Sequence, residues 1–253
     1  MENNNKSKLP IAIIGIVLIA AIGGAWWFYN NSKSTGGVAG NKSASSPTPM
    51  KNPANMPPGG SPTWSLGSPS ATVTVEEFAD FQCPTCASMH PRVKELRANY
   101  GDRIRIIFRQ FPLQMHPFGY DAACAAEAAG LQGKFWEMQN LLFSNQQSWV
   151  NSTDPRKVFA EYAKTLGLDI TKFGDDLIGL QVKNKVDADL VRGRALGVDS
   201  TPSFYINNQP LGRDLEGLRP MVEAELKKAE AAKQAPAGNS NSNAASNTNT
   251  ANK

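Results

Sequence analysis

Cysteine is scarce in this chain, with three in 253 residues. That is too few for a disulfide-stapled scaffold, so an apolar core has to carry the fold. Histidine is scarcer, with only His90 and His116. A second Cys-x-x-Cys pair, which would complete a four-ligand zinc site, is missing. There is no internal repeat and no dense Lys/Arg patch. With 26 basic and 22 acidic residues the net charge is only +4, which excludes an electrostatic nucleic-acid binder. Residues 31–62 contain no Asp, Glu, Leu, Ile or aromatic residue at all. Such a stretch cannot bury enough surface to fold by itself.

Four unlike segments remain after these exclusions. Residues 1–8 carry Lys6 and Lys8 and precede an uncharged run, Leu9 to Tyr29. As a helix that run is about 31 Å long, which matches the hydrocarbon core of a bilayer. It ends in Trp26, Trp27, Phe28 and Tyr29, an interfacial aromatic cluster. A single transmembrane signal-anchor over 9–29 is expected, with the N-terminus cytoplasmic and the remainder on the extracytoplasmic side of the cell membrane. A cleaved signal peptide is the alternative, with Gly23, Gly24 and Ala25 as a small-residue cleavage point. Either way the domain is exported.

Residues 30–62, rich in Pro, Gly and Ser, read as a flexible linker spanning roughly 30 Å. Residues 234–253, mostly Asn, Ser, Ala and Thr, read as a disordered tail. Between them, residues 63–233 are globular and long enough for one well-cored domain.

Within that domain Thr72–Phe78 alternates as a strand, and Arg103–Gln110 forms a second. Between them Pro84–Tyr100 reads as a helix, with Met89, Val93, Leu96 and Tyr100 on one face. Pro84 suits the first helical position and Gly101 stops the helix. A helical stretch follows, with stripes at Phe135, Met138 and Leu142 and at Val158, Tyr162 and Leu166, and an Asp154-Pro155 start signal. A longer helix through Val186 and Leu190 ends near Gly197. Phe204–Ile206 and Pro210–Leu211 flank an Asn207-Asn208 hairpin turn. A last helix starts near Pro220. The order predicts an α/β sandwich with a helical insertion over about 114–197.

The chemistry sits where the first strand gives way to the first helix, at Cys83-Pro84-Thr85-Cys86. There Cys83 takes the N-cap, and the unpaired N–H groups of the first turn favour its thiolate. Cys86, one turn deeper, is less accessible. The pair is therefore unequal and suits redox chemistry. An inert disulfide and a metal site using Cys83, Cys86 and His90 are the alternatives.

Two further positions bear on the pair. Strand alternation places Glu77 on the face of Val73 and Val75, where desolvation would raise its carboxyl pKa and let it exchange a proton beneath the cysteines; a strand-end Glu that reaches solvent is the alternative. Thr201-Pro202 precedes a strand, where Pro removes a ladder donor; a trans turn proline is the default there, and the cis form, common only for X-Pro bonds, is the alternative. The lone Cys124, among alanines on a helix, reads as a small buried hydrophobe.

Glu-Phe-Ala-Asp-Phe-Gln-Cys-Pro-Thr-Cys (77–86), taken with Gly-Val-Asp-Ser-Thr-Pro-Ser-Phe-Tyr-Ile-Asn (197–207), resembles the DsbA-type thiol:disulfide oxidoreductases. Phe111-Pro112-Leu113 and Gly133-Lys134-Phe135-Trp136 resemble further family segments, and the likeness extends over about 64–232. It implies a thioredoxin fold interrupted by a helical domain. Carried over, it makes Cys83 the exposed nucleophile, Cys86 the buried partner and Pro202 a cis-proline against them. Thr201 would offer its backbone to a substrate peptide, and Glu77 would be the buried acid. The DsbA type specimen has His where this chain has Thr85, so a less oxidising couple is expected.

The resulting expectation is a membrane-tethered oxidase of cysteine pairs in exported proteins. It needs no cofactor and would be recharged by a membrane-embedded reoxidase. No dimerisation segment is visible, so a monomer is expected. A reductase or isomerase would use the same residues. A metallochaperone using Cys83, Cys86 and His90 is the rival of a different class.

Overall fold

A computed structural model describes residues 56–234; the expected span at 9–29, most of the linker and the tail from 235 lie outside the described residues. A short strand that the sequence pattern did not reveal, β1 (Trp64–Leu66), comes first. The alternating Val and Thr residues form β2 (Val73–Ala79), one residue later than expected. Helix α1 (Pro84–Tyr100) follows, then β3 (Ile104–Gln110). Six helices intervene: α2 (Gly119–Gly130), α3 (Phe135–Ser144), α4 (Gln146–Val150), α5 (Pro155–Thr165), α6 (Ile170–Ile178) and α7 (Leu180–Leu196). The chain ends in β4 (Ser203–Ile206), β5 (Gln209–Pro210) and α8 (Leu218–Gln234).

The strands form one sheet in the order β1-β3-β2-β4-β5. The central β2 runs parallel to β3 and antiparallel to β4. Val73 and Val75 face Met89, Val93 and Leu96 of α1 and Leu218, Val222 and Leu226 of α8. On the opposite face Phe78 packs with Phe111, Val198 and Tyr205, against Leu190 and Leu196 of α7. Because β2 is covered on both faces, its C-terminal end is a buried platform, from which the chain turns out of the sheet into α1.

The insertion has its own logic. In α2 six alanines and Cys124 are almost wholly buried. Small side chains let α3, α6 and α7 approach α2 closely. The Asp154 carboxylate accepts from the Lys157 N–H and Pro155 takes the first turn of α5, as its start signal requires. Gly197, at φ 84°, ends α7 in the left-handed region.

Several expectations shift. In α5 the buried residues are Pro155, Phe159 and Ala163, while Val158, Tyr162 and, just past the helix end, Leu166 are half-buried, so the inward face lies one residue further on. α8 begins two residues before Pro220. Asn207 and Asn208, at φ 48° and 65°, make the hairpin turn, and β5 pairs through Gln209 and Pro210.

The linker expectation needs correction at its end. Arg192 donates to the Pro57 carbonyl at 2.8 Å, and Arg109 to the Pro58 carbonyl at 3.1 Å. The Gly60 N–H donates to Asp189 at 2.7 Å. Residues 57–60 therefore belong to the fold, held by a buried charge cluster that composition alone does not reveal. Among the described residues no helix is long and apolar enough to cross a membrane.

Candidate active site

Asp80-Phe81-Gln82 carries the chain from β2 to α1. The Asp80 carbonyl accepts from the Cys83 N–H at 3.0 Å, and the Asp80 carboxylate accepts from the Gln82 N–H at 2.8 Å. This tight turn leaves Cys83 at the N-cap, with φ −71° and ψ 120°, and Pro84 inside the first turn. Pro91 lies within α1 as well.

Cys83, expected to be exposed, is itself buried with only 6% of its surface open, and Cys86 is fully buried, as expected. Both are free thiols here. The Cys83 Sγ donates to the Thr201 carbonyl at 3.3 Å. A hydrogen bond from the Cys86 thiol is the largest influence on Cys83. It outweighs burial and, with the Thr201 hydroxyl and the N–H groups of Cys86 and Thr85, holds the Cys83 thiol at about 5. The Thr201 Oγ1 is buried and has no hydrogen-bond partner among the described residues. A Cys83 thiolate would offer it an acceptor, in line with the lowering influence of the Thr201 side chain on Cys83.

Cys86 goes the other way. Burial pushes its thiol well above the ordinary range, and the nearby Cys83 adds to this. One sulfur is thus ionised at neutral pH and the other is kept protonated.

The expected residues converge. The Thr201–Pro202 bond is cis, and Pro202 is buried at the start of β4. A cleft of about 300 Å³ runs beside it, lined by Thr85, Thr201, Pro202, Tyr205 and Arg213 among others. Glu77 lies between Phe108 of β3 and Phe204 of β4 and is 3% exposed. Burial pushes its carboxyl up to about 8, and its charge is felt at Cys86. It is therefore largely protonated at pH 7.

His90 does not join the cysteines. Its Nε2 lies 3.3 Å from the Asn140 Oδ1, and its ring packs on Phe143 with centroids 5.0 Å apart. Among the described residues no three His, Cys, Asp or Glu side chains stand where they could hold a metal ion. The ligand set of Cys83, Cys86 and His90 is therefore not assembled.

Some contributing residues escaped the sequence reading. The Asp80 carboxylate also accepts from the Leu113 N–H at 2.8 Å and meets the His116 Nδ1 at 2.6 Å, tying the loop after β3 to the cysteine turn. Gln146, from the insertion, donates to the Phe81 and Cys83 carbonyls at 2.6 and 2.9 Å. Asp80 stands inside the quoted motif and could have been singled out as a turn former. Gln146 sits in a polar run, Ser144-Asn145-Gln146-Gln147, with no local mark of its role.

The site and its support define a thioredoxin-fold protein with an inserted helical domain and a two-cysteine centre at a helix N-terminus. A family profile described as Thioredoxin matches residues 61–233, and the chain belongs to that family. Among solved structures it is similar to alpha-DsbA1 of Wolbachia pipientis, with a TM-score of 0.59 and 23% identity over 69% of this chain and 96% of that one. It is also similar to MdbA of Corynebacterium diphtheriae, a thiol-disulfide oxidoreductase, with a TM-score of 0.53 and 19% identity over 64% and 88%. These likenesses establish the shared fold.

A curated relative, Na(+)/H(+) antiporter NhaA 1 of Mycolicibacterium gilvum, is 37% identical over 146 residues. The match takes in 56% of this chain. The chain spans only 23% of that relative's length.

Proposed function

We propose that the protein is a thiol:disulfide oxidoreductase that oxidises cysteine pairs in exported proteins. The observation that carries this reading is the opposed state of two sulfurs one helical turn apart, with Cys83 held at about 5 and Cys86 pushed far up.

In the oxidised enzyme a substrate thiolate attacks the Cys83 Sγ. A mixed disulfide forms and the Cys83–Cys86 bond breaks. The electron pair leaves on Cys86, which takes a proton from the neutral Glu77. The second substrate thiolate then attacks the substrate sulfur of the mixed disulfide. Cys83 leaves as a thiolate, a good leaving group because its pKa is low. The substrate has gained a disulfide and lost two electrons, and the enzyme holds two cysteine sulfurs in reduced form.

The 300 Å³ cleft gives the substrate chain a place beside Thr201, whose backbone can pair with an extended peptide. The proposed setting is the extracytoplasmic side of the cell membrane, with the domain tethered as a monomer by the span at 9–29. A membrane-embedded reoxidase would then meet the reduced pair at a raised effective concentration.

The test mixes the oxidised full chain with a reduced two-cysteine peptide and follows peptide oxidation by mass. Stoichiometric transfer by the wild type, and none by Cys83→Ser, is expected. A Cys83→Ser chain that still oxidised the peptide would overturn the reading.

A further inference from the structure

The inserted helices do more than cover the sheet. Their α3–α4 elbow presses on the turn that carries the nucleophile. Phe143 packs against Phe81 with ring centroids 4.7 Å apart. The indole of Trp149 donates to the Leu142 carbonyl at 2.8 Å and sits edge-on to Phe159, fixing α4 against the insertion's core. This leaves Gln146, at the start of α4, facing the cysteine turn with 5% of its surface exposed.

Both neighbours of its terminal group are carbonyl oxygens, at 2.6 and 2.9 Å. Two acceptors require the NH₂ end of the amide to face them, and both of its hydrogens are then used. The acceptors matter. Pro84 has no N–H, so the Cys83–Pro84 peptide offers the site only its oxygen. That oxygen receives the Ala87 N–H at 3.2 Å as the first bond of α1. The Cys83 carbonyl belongs to the residue that carries the thiolate, and an amide NH₂ clamped on it and on the Phe81 carbonyl offsets the negative ends of both dipoles. The same clamp fixes the Cys83 backbone, which aims Sγ at the first-turn N–H groups.

Building on the oxidoreductase reading, we propose that Gln146 is a positioning residue of the redox site. Its amide holds the Phe81 and Cys83 carbonyls and thereby sets the aim and charge environment of the Cys83 sulfur. The insertion is then a part of the redox centre.

The test uses the full chain and reads the thiolate directly. In Gln146→Met, which keeps length but has no donor, thiolate absorbance at 240 nm should titrate at least half a unit higher than in the wild type. The equilibrium constant against glutathione should move about threefold to tenfold toward the disulfide form, which is about 15–30 mV. Gln146→Glu, equally long and without donors once ionised, should move both readings the same way.

A merely structural role would lower the melting temperature and leave both readings at their wild-type values. That result in either folded variant overturns the proposal. If neither variant folds, the wild-type chain labelled with ¹⁵N-glutamine decides. The Gln146 side-chain amide resonances should shift with the midpoint of the Cys83 thiol, and amide shifts flat across that titration would overturn the proposal. Because the readout is ionisation rather than turnover, its failure is separable from failure of peptide oxidation.

Discussion

The Cys83 sulfur and the Thr201 carbonyl meet at 3.3 Å although 118 residues separate them in sequence. This contact joins the first helix of the fold to the strand that follows the insertion. In the proposed function it places the backbone that would pair with a substrate peptide directly beside the nucleophilic sulfur. It also brings the buried Thr201 hydroxyl to a sulfur that needs donors once ionised.

Cys83 should be the one readily alkylated thiol of the reduced protein near pH 6. With its pKa lowered to about 5 it is already thiolate there. Cys86 is pushed up by burial, and burial also raises Cys124 to about 12. Iodoacetamide labelling followed by peptide mass mapping checks this. The Cys83 rate should be level above pH 6 and fall as pH drops through about 5. Dominant labelling of Cys86 or Cys124 would remove the assignment.

Glu77→Gln should change how stability depends on pH. Below 4.5 the wild-type carboxyl is protonated in both folded and unfolded chains. Between 4.5 and about 8 the unfolded chain releases the proton while the folded chain keeps it, so rising pH favours unfolding. The stability lost across that window is as much as about 5 kcal/mol. Urea unfolding of reduced wild type and variant at pH 5 and pH 8.5 checks it. The variant should gain on the wild type as pH rises, and equal slopes would show that Glu77 is solvated.

The Cys83–Cys86 couple should lie between a thioredoxin-like reductant at about −270 mV and the DsbA extreme near −120 mV. The low Cys83 pKa stabilises the reduced form and raises the potential. Thr85, standing where the DsbA type specimen has His, withholds a further donor. Equilibration of the full chain with glutathione buffers measures it. A value at or below about −270 mV would make the protein a reductant.

Arg109→Met should destabilise the fold by about 3–5 kcal/mol, as expected when one partner of a buried ion pair is removed. Arg109 bonds Glu76 at 2.7 Å and Asp189 at 3.0 Å and holds the Pro58 carbonyl. Burial acts to raise the Glu76 carboxyl, but Arg192 and Arg109 outweigh it and keep it below its usual value. In thermal melts the variant should unfold well below the wild type, and limited proteolysis should cut near residues 57–60 first. A melting temperature within a degree of the wild type would show the cluster to be dispensable.

Much of this was legible in the chain because its cause is local. The alternation of Val73 and Val75, the Pro84 start of α1, the Asn207-Asn208 turn and the Cys-x-x-Cys spacing each act over a few residues. So do the placement of Glu77 on an apolar strand face and of Pro202 before β4. Side-chain period, the fixed φ of proline and tolerance of positive φ are properties of single residues and their neighbours, and they specify elements before any packing occurs.

Other features exist only once distant segments meet. β1 has three residues and no pattern to announce it; it forms because β3 offers an edge. Pro57–Gly60 look like linker by composition, yet the cluster of Glu76, Arg109, Asp189 and Arg192 draws them into the fold. His90 is four residues from Cys86 in sequence, but the α3 neighbours Asn140 and Phe143 engage it instead. Gln146 bears on Cys83 only because Trp149 and Phe143 anchor the elbow of the insertion. Sequence alone determined the chemistry available and the elements that carry it. Tertiary structure decided which dipoles and charges surround the sulfurs, because burial and hydrogen-bond partners are properties of the packed fold.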